Sequence, residues 1–268
     1  MICVNNLTHK YDNNVALDNI SFKCYEKECI LLVGANGAGK STLLRILAGK
    51  MLHKDDNSVY VLNKDPFRCT TLNMVRSHMD INWGQRNIAF SGNSIPLQSD
   101  IKVCDMMSKL QLKYPQRRDE LINILKINVN WRMHLVSDGQ RRRVQLFLGL
   151  IQPFKILLMD EVTISLDALI RYNILKWIKQ DCSNRNACCI YTTHIFDGLN
   201  EWCDRLIYLN KKGNITYNDK PNFDIYTKFL YWLNSDYNDN EDEEINVTNL
   251  VYKKNAGGYS HGVLQSFN

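Results

Sequence analysis

Gly34-Ala35-Asn36-Gly37-Ala38-Gly39-Lys40-Ser41-Thr42 follows the apolar run Cys29-Ile30-Leu31-Leu32-Val33 and leads into Leu43-Leu44-Arg45-Ile46-Leu47. A buried-strand pattern, a glycine-rich loop and a 3.6-period pattern stand in the order that a P-loop requires. Glycines at 34, 37 and 39 open backbone conformations closed to residues with a Cβ, so successive N–H groups can turn inward around phosphate oxygens. A helix starting near Gly39 adds its positive N-terminal end. In this motif Lys40 reaches the β- and γ-phosphates and the Ser41 hydroxyl binds Mg²⁺. The nucleotide-binding candidates here are Gly34, Asn36, Gly37, Ala38, Gly39, Lys40, Ser41 and Thr42.

A chain of 268 residues can bury a sizeable core, and 45% apolar with 23% charged residues is the composition of a globular protein. No apolar run approaches the roughly 18 residues of a membrane span, and Met1-Ile2-Cys3-Val4-Asn5 lacks the features of a signal peptide. The expected location is the cytoplasm, with the nucleus as a second compartment, and no direct membrane insertion is expected. The nine cysteines contain no Cys-x-x-Cys pair and read as reduced, mostly buried thiols. Net charge is +5, yet Asp236, Asp239, Glu241, Asp242, Glu243 and Glu244 stand together without a basic residue; setting those six aside raises the balance to +11. A basic body is compatible with nucleic acid or an acidic partner, although such charge is more often only solvated.

Along the chain, Ile2-Cys3-Val4, Leu17 to Tyr25 and Cys29 to Val33 read as strands. Tyr11 sits at the edge of this group, where a ring can stack on adenine. The first helix is expected over Ser41 to Met51 and a strand over Ser58 to Leu62. The stretch from Asn63 to Arg86 has no clear pattern, Asn87-Ile88-Ala89-Phe90 resembles a strand, and Ile101 to about Met133 is helical in period. Residues 91 to about 145 therefore read as a small helical subdomain. The α/β alternation then resumes, with helices over Gly139 to Leu150, Leu166 to Gln180 and Ile195 to Trp202, and strands over Lys155 to Asp160 and Ala187 to Thr192. Two edge strands, Arg205 to Leu209 and Asn214 to Tyr217, close the pattern. Ser235 to Asn246 is rich in Asp, Glu and Asn and reads as mobile.

Ile156-Leu157-Leu158-Met159 runs into Asp160-Glu161, which puts two acids at the carboxyl edge of a parallel sheet, where such folds bind ligands. Asp160 is the candidate Mg²⁺ ligand with Ser41. Glu161 is the candidate that orients the attacking water, since phosphoryl transfer asks the protein mainly for positioning and charge stabilisation.

Between these motifs stands Val136-Ser137-Asp138-Gly139-Gln140, and with it the chain resembles the ABC-type ATPases, whose signature is Leu-Ser-Gly-Gly-Gln. Ser165-Leu166-Asp167 resembles their D-loop, His194 after Thr192-Thr193 their switch histidine, and Tyr11 falls at their A-loop position. The resemblance covers roughly residues 1 to 218. It implies an α/β fold of P-loop NTPase, ABC ATPase type: a mixed sheet with antiparallel edge strands and a small helical subdomain. Residues 1–234 would form the ATPase domain and 235–268 an acidic extension. It further implies ATP and Mg²⁺ as ligands, and catalysis by Glu161, His194 and Lys40. Ser137, Gly139 and Gln140 would contact ATP bound by a second subunit in a head-to-tail homodimer.

Trp131-Arg132-Met133-His134 before the signature, together with Thr193-His194-Ile195-Phe196-Asp197-Gly198-Leu199, is similar to the soluble ABC ATPases named for the yeast Ccr-Not complex and to plant subfamily-I soluble ABC proteins. That likeness implies a role beside a Ccr-Not-type gene-expression assembly. Service as the ATPase subunit of a transporter with a separate membrane chain is the alternative. Two departures stand out. Asp138 replaces a glycine and, to avoid a phosphate charge, is expected to point away from the nucleotide. The Q-loop glutamine is missing, with Asn93 at its aligned position and Gln98 five residues late.

Overall fold

A computed structural model describes residues 1–12, 14–53, 57–81, 83, 85–87, 94–96 and 100–238. The chain opens with β1 (Ile2–Tyr11) and β2 (Asn14–Cys24), paired antiparallel. Then β3 (Cys29–Gly34) leads through the glycine loop into α1 (Lys40–Leu47), and β4 (Val59–Val61) returns to pair with β1. Next come β5 (Arg76–Met79) and the antiparallel pair β6 (Gln85–Asn87) and β7 (Ser94–Pro96). Three helices follow: α2 (Ser108–Lys113), α3 (Pro115–Leu125) and α4 (Asp138–Ile151). The remainder is β8 (Ile156–Asp160), α5 (Ala168–Arg185), β9 (Cys188–Thr192), α6 (Leu199–Trp202), β10 (Arg205–Leu209), β11 (Ile215–Asp219) and α7 (Ile225–Asn238).

The main sheet runs β11-β10-β3-β9-β8-β5, parallel throughout except for β11 at one edge. Its inner strands are buried on both faces, which is why they appear as unbroken apolar runs. Cys29, Leu31 and Val33 of β3 point into the core shared with α4, α5 and α7, while Ile30 and Leu32 point into the core shared with α1 and the β2-β1-β4 sheet. This is the mixed α/β architecture with antiparallel edge strands that the sequence implies.

Several elements differ from expectation. β1 reaches Tyr11 rather than ending at Val4, but register shifts break its alternation. At those bulges Asn6 and Asn19 take left-handed backbones (φ 48 and φ 51), and hydroxyls satisfy their amides: Asn6 N donates to Ser21 Oγ at 2.8 Å and Asn19 N to Thr8 Oγ1 at 3.1 Å. β10 is an interior strand, so of the two strands expected at an edge β11 alone is one. The strand beside β8 is β5, in the stretch without a pattern, whereas of the strand expected over Asn87 to Phe90 only Asn87, the last residue of β6, is among the described residues. α6 is a single turn because Gly198 enters it at φ 73. α2 starts only at Ser108, after the turns around Val103 and Met106. α7, unforeseen, runs past 234 and is tied to the sheet there: Asp236 accepts from Tyr208 Oη at 2.7 Å and from Lys211 N at 3.1 Å.

The helices α3, α4 and α5 are joined at Arg117. Its Nε donates to the Leu150 carbonyl at 2.6 Å, its two terminal nitrogens grip Asp181 at 2.6 and 2.8 Å, and its Cζ lies 4.5 Å from the Trp177 ring centroid. A fork-to-fork pair this well buried is costly to break from one side, because the remaining carboxylate is left desolvated. Arg117→Met is therefore expected to lower unfolding stability by about 3 kcal/mol. Urea denaturation checks this, and adding Asp181→Leu is expected to restore most of the loss.

Candidate functional site

The end of β3 turns through a tightly packed loop. A Cβ on Gly39 would lie 2.2 Å from the Ala16 carbonyl oxygen, and the residue sits at φ 97, so only glycine fits. Lys40, the first residue of α1, folds back so that its Nζ donates to the carbonyls of Gly34 at 2.8 Å and Ala35 at 2.9 Å. Burial pushes the Lys40 pKa down, while Glu161 and then Asp160 push it up.

These groups face a cavity of about 410 Å³ lined by Tyr11, Asn36, Gly37, Gly39, Lys40, Ser41, Thr42, Asp160 and Glu161, all predicted from sequence. Asn14, Val15, Ala16 and Ile81 complete the lining and were not foreseen. The first three follow from the antiparallel return that sets β2 against the loop, and Ile81 from β5, which ends beside β8. Gly34 and Ala38 are not in that lining: Gly34 gives its carbonyl to Lys40, and Ala38 is buried. Tyr11 is 43% exposed, and its hydroxyl is shared with Thr42 Oγ1 at 3.2 Å and donated to Met51 Sδ at 3.3 Å, leaving ring surface at the cavity mouth.

On the opposite wall, register places Asp160 of β8 beside Thr192 of β9, and the Thr192 hydroxyl donates to Asp160 Oδ1 at 2.7 Å. That bond orients a buried carboxylate and is readable from two strands ending together. Glu161 leaves β8 in a left-handed conformation, φ 54, with its N–H on the Thr192 carbonyl at 3.1 Å. His194 Nδ1 lies 3.7 Å from Glu161 Oε1. A buried carboxylate and a serine hydroxyl on one cavity form an all-oxygen donor set suited to Mg²⁺, with an ammonium available for phosphate.

Ser137, Gly139 and Gln140 are elsewhere, at the start of α4, and do not line this cavity. They form a capping box: Ser137 Oγ accepts from Gln140 N at 3.3 Å, and Gln140 Oε1 accepts from Ser137 N at 2.9 Å. Gly139 abuts the Ser165 carbonyl, 3.0 Å from where a Cβ would stand. Asp138 is an exposed first-turn residue of α4, favourable at a helix N-terminus. Asn93 and Gln98 lie outside the described residues.

The sequence model of the family described as ABC transporter matches residues 17–164. The chain is 44% identical to ABC transporter I family member 20 of Arabidopsis thaliana, over 72% of this chain and 59% of the relative. It is 38% identical to CCR4-associated factor 16 of Saccharomyces cerevisiae, over 80% of this chain and 77% of the relative. The chain spans about three-fifths of the length of the two plant I family relatives, members 20 and 21 (59% and 64%). Two solved structures share the fold: an ATP-binding subunit of an ABC transporter, at TM-score 0.69 and 17% identity over 89% of this chain and 98% of that one, and a dimeric ATP-binding cassette bound to ADP and Pi, at TM-score 0.67 and 21% identity over 83% and 100%. With the phosphate loop, the Asp160 carboxylate and the helix-capping signature in these places, the chain belongs to the ABC transporter family of ATP-binding cassettes.

Proposed function

We propose that this chain is an Mg-ATP hydrolase whose catalytic unit is a head-to-tail homodimer. The observation that carries the reading is the separation of two half-sites: Lys40, Ser41, Asp160 and Glu161 share one cavity, while Ser137 and Gly139 stand outside its lining. Two copies about a two-fold axis would bring each signature to the other's cavity.

In that arrangement Tyr11 stacks on adenine and the loop amides cradle the phosphates. Lys40 exchanges its carbonyl partners for phosphate oxygens. Asp160 and Ser41 hold Mg²⁺, which when bound neutralises charge on the phosphate oxygens. Glu161 orients water, and His194 contacts the terminal phosphate. Ser137 Oγ is an acceptor within its own helix cap, so its hydroxyl proton is free to donate across the interface. Gln140 acts by fixing Ser137, since its side-chain oxygen is engaged by the Ser137 amide.

We further propose that the dimer serves a CCR4-type gene-expression assembly in the cytoplasm and nucleus; the yeast relative's name supports the CCR4 association alone. Affinity purification followed by mass spectrometry tests that assignment against an unlike membrane chain as partner.

Lys40→Ala is expected to abolish ATP turnover and weaken nucleotide binding without unfolding the chain, as read by titration with a fluorescent ATP analogue. Tyr11→Ala is expected to cost about 1 to 2 kcal/mol of ATP affinity, within the range of aromatic contacts, and Tyr11→Trp to be tolerated. For assembly, Glu161→Gln keeps shape but loses the charge that activates water, so this variant is expected to be monomeric without nucleotide and dimeric with Mg-ATP by light scattering. Adding Ser137→Arg is expected to prevent the shift. A Glu161→Gln chain that stays monomeric at saturating ATP would point to an unlike partner for the second half-site.

A further inference from the structure

We infer that Phe196 is a positioning residue for His194, and that α7 sets the switch loop through it; this rests on the ATPase reading above. The His194 side chain is 57% exposed and lies 3.7 Å from Glu161 Oε1, too distant for a hydrogen bond. Its placement therefore depends on the backbone to either side. Before it, Thr192 is locked in β9. After it, the chain has no regular structure until α6 begins at Leu199.

That irregular stretch is anchored from outside. The Phe196 ring packs on Phe229 of α7, with centroids 4.9 Å apart and planes at 45°, and on Tyr226 at 6.0 Å and 47°. Asn200 donates to Asp224 Oδ1 at 3.0 Å and accepts from Ile225 N at 3.1 Å, joining α6 to the first residue of α7. Arg171 reaches Asp197 at 3.1 Å, but that carboxylate is 84% exposed and the pair is screened by water. Among these anchors the aromatic one is nearest His194 in sequence, and it is the one that rests on a buried side chain, Phe229.

The wall behind Phe196 is itself fixed. Phe229 meets Tyr208 of β10 at 6.3 Å, Tyr208 meets Trp232 at 4.6 Å, and the Tyr208 hydroxyl donates to Asp236 at 2.7 Å. A continuous aromatic row thus runs from the central sheet through α7 to a point two residues from the switch histidine. Removing the Phe196 ring leaves the Ile195 N to Thr193 Oγ1 bond at 3.1 Å but takes away the packing that holds the stretch from 195 to 198 against α7, so His194 samples more orientations. Tyr11 and the phosphate loop lie on other elements, so all the proposed ATP contacts except that of His194 are kept.

The test uses the full chain. Phe196→Ala is expected to lower kcat about tenfold or more, the scale of loss that small misplacements produce, while the Kd for a fluorescent ATP analogue stays within about twofold. Phe196→Tyr keeps the ring and is expected to restore turnover. Phe229→Ala, placed on α7 and remote from nucleotide, is expected to lower kcat in the same sense. Combining Phe196→Ala with His194→Ala is expected to add nothing to His194→Ala alone, because both changes act through one imidazole. Should Phe196→Ala not fold, Phe196→Leu, which keeps apolar volume without a ring, carries the same expectation at smaller amplitude. An unchanged kcat in Phe196→Ala, or in Phe196→Leu where that stands in for it, overturns the inference, as does a further loss on the His194→Ala background. Wild-type chain that turns over no ATP would overturn the ATPase reading instead.

Discussion

Two glycines leave no room for any other residue, and the placement of the phosphate loop depends on them. A Cβ on Gly39 would stand 2.2 Å from the Ala16 carbonyl oxygen, and one on Gly34 would stand 2.1 Å from that of Leu209. The loop is thus pressed between the start of β2 and the end of β10, and backbone on both sides would have to move for a methyl group to enter. Because the fit is backbone against backbone, no rotamer change can relieve it. The close approach brings Asn14, Val15 and Ala16 to the cavity, beside the start of α1 at Lys40.

Electrostatics within that cavity explain why a cation is needed. Lys40 is a single buried ammonium facing Asp160 and Glu161. Adding a polyphosphate to two carboxylates would gather several negative charges in a space of about 410 Å³, and at an effective dielectric near 20 each close like-charge pair costs about 2 to 4 kcal/mol. One ammonium cannot offset that sum. A divalent cation held by Asp160 and Ser41 would supply the positive charge that Lys40 alone lacks, and the Thr192 hydroxyl already holds Asp160 in one orientation.

The parts of this site that were legible in sequence are those with a local pattern. The glycine loop, the apolar run into Asp160-Glu161, and the Ser137 cap with its glutamine three residues on each carry their own spacing. What stayed hidden depends on partners far along the chain. β5 reads Arg-Ser-His-Met, and two of its three polar side chains are satisfied by distant carbonyls: Arg76 donates to Leu47 at 3.0 Å and Pro66 at 3.1 Å, and Ser77 Oγ donates to Gly149 at 2.7 Å, while the buried His78 ring has no hydrogen-bond partner among the described residues. No alternation could reveal such a strand. α7 was obscured differently. Its tyrosines and Leu230 remain exposed while Ile225 and Phe229 are buried, so apolar character surrounds the helix instead of marking one face.

The segment after β5 also shows how the two half-sites are connected within one chain. Gln145 Nε2 donates to the Asp80 carbonyl at 2.7 Å, and Arg142 donates to Asp80 at 3.2 Å and Ile81 at 3.0 Å while also bonding the Gln145 side-chain oxygen. Ile81 lines the cavity, and both donors sit on α4, the helix that Ser137 caps. An α-helix is stiff over so short a span, because bending it stretches the backbone hydrogen bonds that define it. A shift of the 80–81 carbonyls must therefore either break three hydrogen bonds from Arg142 and Gln145 or carry the start of α4 with it. Gln145 is buried, so breaking its bond would strand a polar group away from water, and moving the helix is the less costly response. In the proposed dimer, α4 is then the element through which the edge of one nucleotide cavity sets the serine that serves the other.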